Sequence, residues 1–262
     1  MERSLAEGVM SATGLKCLPL NWSILFMNRN ISINESFDFE GDYGEEYEAL
    51  ARALIPGYLS SFRQAVALLE GRLGSDAHVL VVGAGTGIEI ITIQMIQPAW
   101  RCTGVDPSSQ MVEIARDRIF EADLGDGVDL RNGYVHDLPA DVRFDAATCF
   151  NVMHFLEDDG SKERLLQSIS NRLDPGAPFI LFDLHGTRTD PEYDEQYAAW
   201  RAYWRIQGMN EEDRAAFQAK IDMGIRWIPE SRIFELLKAT SFVDVRRFFR
   251  GLLYGGWIAR HT

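Results

Sequence analysis

The chain has little of what would hold it in a membrane, in a disulfide framework or on a nucleic acid. None of its apolar runs reaches the roughly 18–20 residues that a membrane-spanning helix requires. Only three of its 262 residues are cysteine, Cys17, Cys102 and Cys149. They form no C-x-x-C pair, which argues against a disulfide scaffold and a structural zinc site and suits a reducing, cytoplasmic location. Lys and Arg number 26 against 39 Asp and Glu, a formal net charge of −13. That balance repels a phosphate backbone. The basic residues are scattered apart from Arg246, Arg247 and Arg250, so no nucleic-acid partner is expected. The apolar stretch Leu15–Met27 is broken by Lys16, Pro19 and Asn21 and has no small-residue cleavage site, so secretion is not expected. We expect it to be an arm packed on the core or on a partner, with Met27 open as an alternative start.

What is present is an ordinary globular composition, 46% hydrophobic, enough for the core of one domain with an elaboration. The most informative run is His78-Val79-Leu80-Val81-Val82-Gly83-Ala84-Gly85-Thr86-Gly87-Ile88-Glu89. Its β-branched part, 79–82, reads as a buried strand, and a helix-like segment follows from Ile88 to about Gln97. A tight strand-to-helix turn leaves backbone N–H groups without partners, and glycine there lets a ligand approach them. The plainer reading is a structural turn. The spacing is G-x-G-x-G and not the G-x-G-x-x-G of nicotinamide and flavin sites, because Ile88 stands where the last glycine would be.

Further strands are expected at 101–105, 128–134, 144–150 and 178–184, with crossover helices between them on a parallel sheet. The second ends in Asp106, about 20 residues past the glycines, where an acid accepts hydrogen bonds from the two ribose hydroxyls of an adenosine. Ser108 or Ser109 is the expected N-cap of a helix over 110–120. Past residue 185 the spacing gives two helices within about 190–228, a helix from Pro229 to Lys238, and strands near 242–248 and 252–260.

The motifs GAGTG, VDPS and FDAATCFNVMHFLED together resemble class I S-adenosylmethionine-dependent methyltransferases, over about residues 45–185. The resemblance implies an α/β fold: a Rossmann-like seven-stranded sheet with helices on both faces and an antiparallel last strand. It implies S-adenosyl-L-methionine as cofactor and no metal. Residues 1–75 are then an N-terminal arm with cap helices at 45–54 and 58–69. Residues 76–262 are the methyltransferase domain, with a helical lid at about 190–228 after strand five. A looser similarity, through Ile55-Pro56-Gly57-Tyr58 and Asp183-Leu184-His185-Gly186, points to the carboxy-S-adenosylmethionine synthase group. That group's basic residue for the extra carboxylate has no clear match here, Gln218 and Lys220 being nearest.

Carried onto this sequence, the resemblance assigns Gly83, Ala84, Gly85 and Gly87 to the methionine part of the cofactor, and Asp106, followed by Pro107, to the ribose. Met111 is an adenine contact or a core residue. Tyr134 stands where the family has an adenine-binding Asp, Asp137 is a weaker substitute, and the backbone of Val135 is placed to bond adenine. Strand one lacks the family's usual acid, since Val81 occupies its place. Tyr47 and Arg52 are placed either to meet the cofactor carboxylate or to lie on a solvated helix face. Phe150 and Asn151 face the sulfonium methyl, where an aromatic ring and a carbonyl oxygen both suit a cation. His154 and His185 are the candidate general bases, each with a structural alternative. Asp183 is expected to be a hydrogen-bond acceptor.

In the insertion, Tyr193, Tyr197, Trp200 and Trp204 form one helical stripe, and Phe217, Ile221 and Ile225 line the face of a second helix begun at Asn210. The stripe is expected, with the arm, to roof an acceptor pocket, core packing being the alternative. The expected function is methyl transfer to a small apolar or aromatic molecule, with oxygen slightly preferred over nitrogen. The alternatives are a non-catalytic cofactor binder and a carboxy-S-adenosylmethionine synthase-like enzyme. No membrane partner is expected, and a homodimer stays open.

Overall fold

The computed structural model describes Phe37, Phe39 and residues 43–262, the side chains of 43–46 and 49 excepted. The stretch 15–27 expected to be an arm, and the start at Met27, lie outside the described residues. Two helices come first, α1 (Tyr43–Leu54) and α2 (Tyr58–Glu70), joined through Gly57 at φ 75°. The alternating part follows as β1 (His78–Val82), α3 (Ile88–Ile96), β2 (Arg101–Asp106), α4 (Ser109–Glu121), β3 (Val128–Asn132), β4 (Ala146–Phe150), α5 (Ser161–Ser170) and β5 (Pro178–Leu184). Then come α6 (Tyr193–Ile206), α7 (Glu211–Gly224), α8 (Glu230–Ala239), β6 (Phe242–Gly251) and β7 (Tyr254–His261).

The seven strands lie in the order β3-β2-β1-β4-β5-β7-β6. The first five pair in parallel, and β7 enters antiparallel between β5 and β6. This is the sheet that the sequence resemblance implied. β3 stops at Asn132 because Gly133, at φ 145°, turns the chain away. β4 starts at Ala146, and Phe144 makes only an isolated bridge to Leu173. The central strands are buried on both faces, as parallel strands covered by helices must be. One core cluster packs α1, α2, α3, α6 and α7 against Val79, Val81, Ala146, Phe150, Ile180 and Phe182. The other packs α5 and α8 against Leu80, Val82, Ala147, Cys149, Phe179 and Leu181.

The insertion is two helices, and Asn210 caps the second by accepting from the Asp213 N–H at 2.9 Å. Its aromatic stripe corrects most of the expected roof, since of its four rings only Trp200 borders the chamber described below. Trp200 and Trp204 are 1% and 0% exposed, and the indole N–H of Trp200 donates to the Leu54 carbonyl at 2.9 Å. The stripe locks α6 onto α1, because rings this large bury most area against a neighbouring helix.

Candidate active site

The strand order reverses between β1 and β4, so their carboxyl ends open a crevice, the usual place for a ligand in such a sheet. The glycine loop lies there with Gly83, Gly85 and Gly87 all left-handed, at φ 70°, 51° and 81°. Each glycine meets a different need. A Cβ on Gly83 would collide with Val152, and one on Gly87 would press on Ala115 Cβ of α4 at 3.1 Å. A Cβ on Gly85 would meet nothing closer than the Gly83 carbonyl at 3.9 Å, so its bare face borders open space.

Four of the loop's N–H groups are already paired, where free ones were expected. Gly83 and Ala84 donate to the Val105 carbonyl at 2.9 and 3.0 Å, and Gly87 donates to Ala84 at 2.9 Å. Gly85 donates to Asp106 Oδ2 at 2.8 Å, and the other oxygen of Asp106 accepts from the Ser108 N–H at 2.9 Å. Asp106 therefore braces the loop from the next strand. Its place at a strand end does not make it indifferent to folding, since its truncation would orphan two donors. Ser108 is the N-cap of α4, accepting from Met111 N–H at 3.1 Å.

Around this loop lies a cleft of about 740 Å³, counted out to bulk solvent. Gly83, Ala84, Gly85, Asp106, Pro107, Met111, Phe150, Asn151 and Tyr47 all line it. Three buried polar atoms on residues of its wall, Thr86 Oγ1, Glu89 Oε1 and Asn151 Oδ1, have no hydrogen-bond partner. Such atoms suit a zwitterionic amino acid part, and the apolar Met111 and Phe150 suit an adenine and a sulfonium. The residues present fit S-adenosylmethionine. Glu89, in the first turn of α3, is 5% exposed, and burial pushes its carboxyl up to about 8, opposed in smaller part by the Thr148 hydroxyl.

A second, apolar chamber of about 450 Å³, likewise counted out to bulk solvent, adjoins the cleft. The two share Tyr47, Asn151 and Phe155. Asn151 sits at the hinge between them at φ 58°, a left-handed conformation uncommon outside glycine, with its N–H donated to Phe182 at 2.8 Å. Trp200 of α6 and Phe217, Ile221 and Ile225 of α7 line the chamber. The insertion does cover it, then, chiefly through the second helix. His154, 5% exposed, lines it too. Its Nδ1 bonds Asp183 Oδ1, which leaves Nε2 as the ring nitrogen available to the chamber. Asp183 is 0% exposed and accepts also from the Met153 and Leu184 N–H groups at 2.8 and 2.7 Å. Lys162 holds the same turn from beneath, donating to the carbonyls of Met153 at 2.7 Å and Arg226 at 3.1 Å.

Other expected site residues lie elsewhere. Tyr134 is 56% exposed and stacks on His136 at 5.3 Å, outside the cleft lining. Val135 is a core residue, and Asp137 turns its carboxylate back to the Tyr134 N–H at 2.8 Å. Gly87 shapes helix packing and does not line the cleft. Arg52 is committed to Glu48, which also pairs with Arg118. His185 lies in a separate groove with Glu230, Arg247 and Arg250, against Trp257. It lines neither the cleft nor the chamber, because β5 ends with Leu184 facing one side and His185 the other. Burial, then Arg247, lowers its pKa. Sequence reasoning passed over Glu89, Thr86, Tyr58 and Phe62 on the cleft wall; the only signal for Glu89 was an acid in an otherwise apolar helix.

Comparison with known proteins agrees with this geometry. Residues 79–176 match the model of a family described as a methyltransferase domain. A demethylmenaquinone methyltransferase of Symbiobacterium thermophilum is 30% identical over 154 residues, 58% of either chain. This chain thus spans little more than half the length of that relative. Carboxy-S-adenosyl-L-methionine synthase 1 of Yersinia pseudotuberculosis is 22% identical over 88% of this chain and 96% of its own. Among solved structures, magnesium protoporphyrin IX methyltransferase of Synechocystis PCC 6803, with bound SAH, shares the fold at TM-score 0.59 and 15% identity, covering 86% of this chain and 96% of that one. Among the described residues, no helix is long and apolar enough to cross a membrane, and no cluster of metal-ligating side chains occurs. Residues 79–176 are thus similar to a methyltransferase domain, and the sheet has the fold of a methyltransferase of solved structure.

Proposed function

We propose that this chain, as the bearer of an S-adenosylmethionine-dependent methyltransferase domain, methylates a hydroxyl on a small, uncharged, apolar or aromatic acceptor. One observation carries the reading: an apolar chamber meets the cofactor cleft at Asn151, with His154, held by Asp183, on its wall. When bound, S-adenosylmethionine supplies an electrophilic methyl group on a sulfonium, already activated. Asp106 and Met111 would hold its nucleoside part, and the wall from Gly83 to Glu89 its amino acid part. Phe150 and the Asn151 carbonyl oxygen would face the sulfonium, through ring quadrupole and dipole.

The protein's remaining work is to orient the acceptor and take its proton. The chamber's apolar wall excludes water and places the acceptor in line, which supplies much of the rate in such transfers. His154 Nε2 accepts the hydroxyl proton, while Asp183 holds the Nδ1–H and so fixes the tautomer. The described lining of the chamber includes no Lys or Arg, so nothing there would neutralise an anionic acceptor or an extra carboxylate. That favours plain methyl transfer over carboxy-S-adenosylmethionine synthesis. Residues up to 75 act as cap and 76–262 as the transferase unit. The free, buried Cys102 and Cys149 fit work in the cytoplasm.

The test joins calorimetry with S-adenosylhomocysteine to a turnover screen over neutral phenols, alcohols and amines. Binding tighter than millimolar and turnover of a neutral hydroxyl compound are expected. His154→Asn should lower kcat about 100-fold or more while leaving S-adenosylhomocysteine affinity unchanged. Absence of binding, or full turnover in the variant, would refute the reading.

A further inference from the structure

The cleft wall holds an ionisable group that neither the ribose side nor the chamber uses. Glu89 lies among apolar neighbours at the start of α3, buried, with Oε1 lacking any partner. An unpaired buried carboxylate is costly, and native interiors rarely keep one without a use for it. Its interaction with Thr148 places the carboxyl over the middle of the sheet, since Thr148 pairs in register with Val81 of β1.

We infer that Glu89 is the anion that receives the α-ammonium group of the cofactor's methionine part. This rests on the S-adenosylmethionine reading and adds to it a residue and a proton. That part of the cofactor carries one ammonium and one carboxylate. Among the described lining residues only two carboxylates face the cleft, Asp106 and Glu89. Asp106 already receives the N–H groups of Gly85 and Ser108, whereas Glu89 has an oxygen unspent. Asn151 Oδ1 also lacks a partner and can share the hydrogen bonding. It is neutral and cannot balance the charge, which a buried ammonium requires.

The pairing is a proton exchange. In the empty cleft Glu89 holds its proton near neutral pH, as burial pushes the carboxyl up to about 8. As the ammonium seats, the carboxyl gives that proton to solvent, and a carboxylate–ammonium pair remains. Affinity therefore rises with pH until the free carboxyl has itself ionised, and then levels. Besides Asp106, the titratable groups around Glu89 are two tyrosines and two cysteines, and these stay neutral through this range. Tyr47 of α1 and Tyr58 of α2 are pushed upward by burial, Cys102 of β2 is pushed up to about 12, and Cys149 of β4 is raised as well.

The experiment is titration calorimetry of the full chain with S-adenosylhomocysteine and with its analogue lacking the amino group, in buffers of different ionisation heat, for the wild type and Glu89→Gln. At neutral pH the wild type should release close to one proton per S-adenosylhomocysteine and none with the analogue. From about pH 6 to 7.5 its affinity should rise nearly tenfold per unit. Glu89→Gln should abolish the release and weaken S-adenosylhomocysteine about tenfold or more, leaving the analogue within about threefold. Equal proton release with both ligands, or equal affinity in the two proteins, would overturn the inference with the cofactor site intact. Failure of the wild type to bind either ligand would instead overturn the cofactor reading. Should Glu89→Gln not fold, the comparison of the two ligands on the wild type decides alone.

Discussion

Asp183→Asn tests whether one buried carboxylate organises the base wall of the chamber. The side chain takes four donors: Oδ2 accepts from the N–H groups of Met153 at 2.8 Å and His154 at 3.3 Å, Oδ1 from Leu184 N–H at 2.7 Å and from His154 Nδ1. Asparagine keeps the shape and turns one acceptor into a donor. If its NH2 replaces Oδ1, the Leu184 N–H is orphaned. His154 must then accept at Nδ1, which puts the ring proton on Nε2 and removes the base. If it replaces Oδ2, the backbone donors of the turn are orphaned. Each buried donor left unpaired costs about 1–3 kcal/mol, partly offset because a charge no longer has to be buried. A net loss of about 2–4 kcal/mol lowers Tm by roughly 5–15 °C in a domain of this size. Differential scanning calorimetry reads that loss. Methyl transfer should fall about 100-fold while S-adenosylhomocysteine affinity holds, because Asp183 does not line the cofactor cleft. A melting temperature within about 2 °C of the wild type, with unchanged turnover, would refute the assignment.

Trp204→Ala should cost about 3–5 kcal/mol, as a fully buried ring gives up its contacts and leaves a cavity, with cofactor affinity unaltered; a denaturant midpoint near the wild type's would show that α6 repacks at little cost. His185→Gln should flatten part of the acid limb of stability. Burial lowers the folded-state pKa of His185, so the unfolded chain takes up its proton first. Its stabilisation is present above about pH 6.5 and is lost as pH falls through that value. Melting temperatures from pH 8 down to 5 should therefore drop less in the variant, and coincident curves would dismiss the effect.

The fold was legible because its signals are local. β-branched runs ending in glycine or Asp gave the parallel strands within about two residues, and Asn210 before three acids gave the start of α7. What depended on direction in space was not legible. The period of Tyr193, Tyr197, Trp200 and Trp204 fixes one helical face but not which body it meets, and that body is α1. The glycine triplet announces a tight turn, yet the N–H groups of Gly83 and Gly85 find partners on β2, a different strand. His154 and Asp183 lie 29 residues apart and meet only because β4 and β5 are neighbours. Glu89 was hidden for a related reason: an acid in the first turn of a helix reads as a complement to the helix dipole. Its burial shows another use. Val81 leaves β1 without an acid, but Thr148 stands beside Val81 in register, and the Glu89 carboxyl reaches Thr148 from above. A charge missing from a strand can be restored by the helix that covers it. A departure from a family's pattern at one position is therefore no measure of lost binding until the residues packed against that position have been inspected.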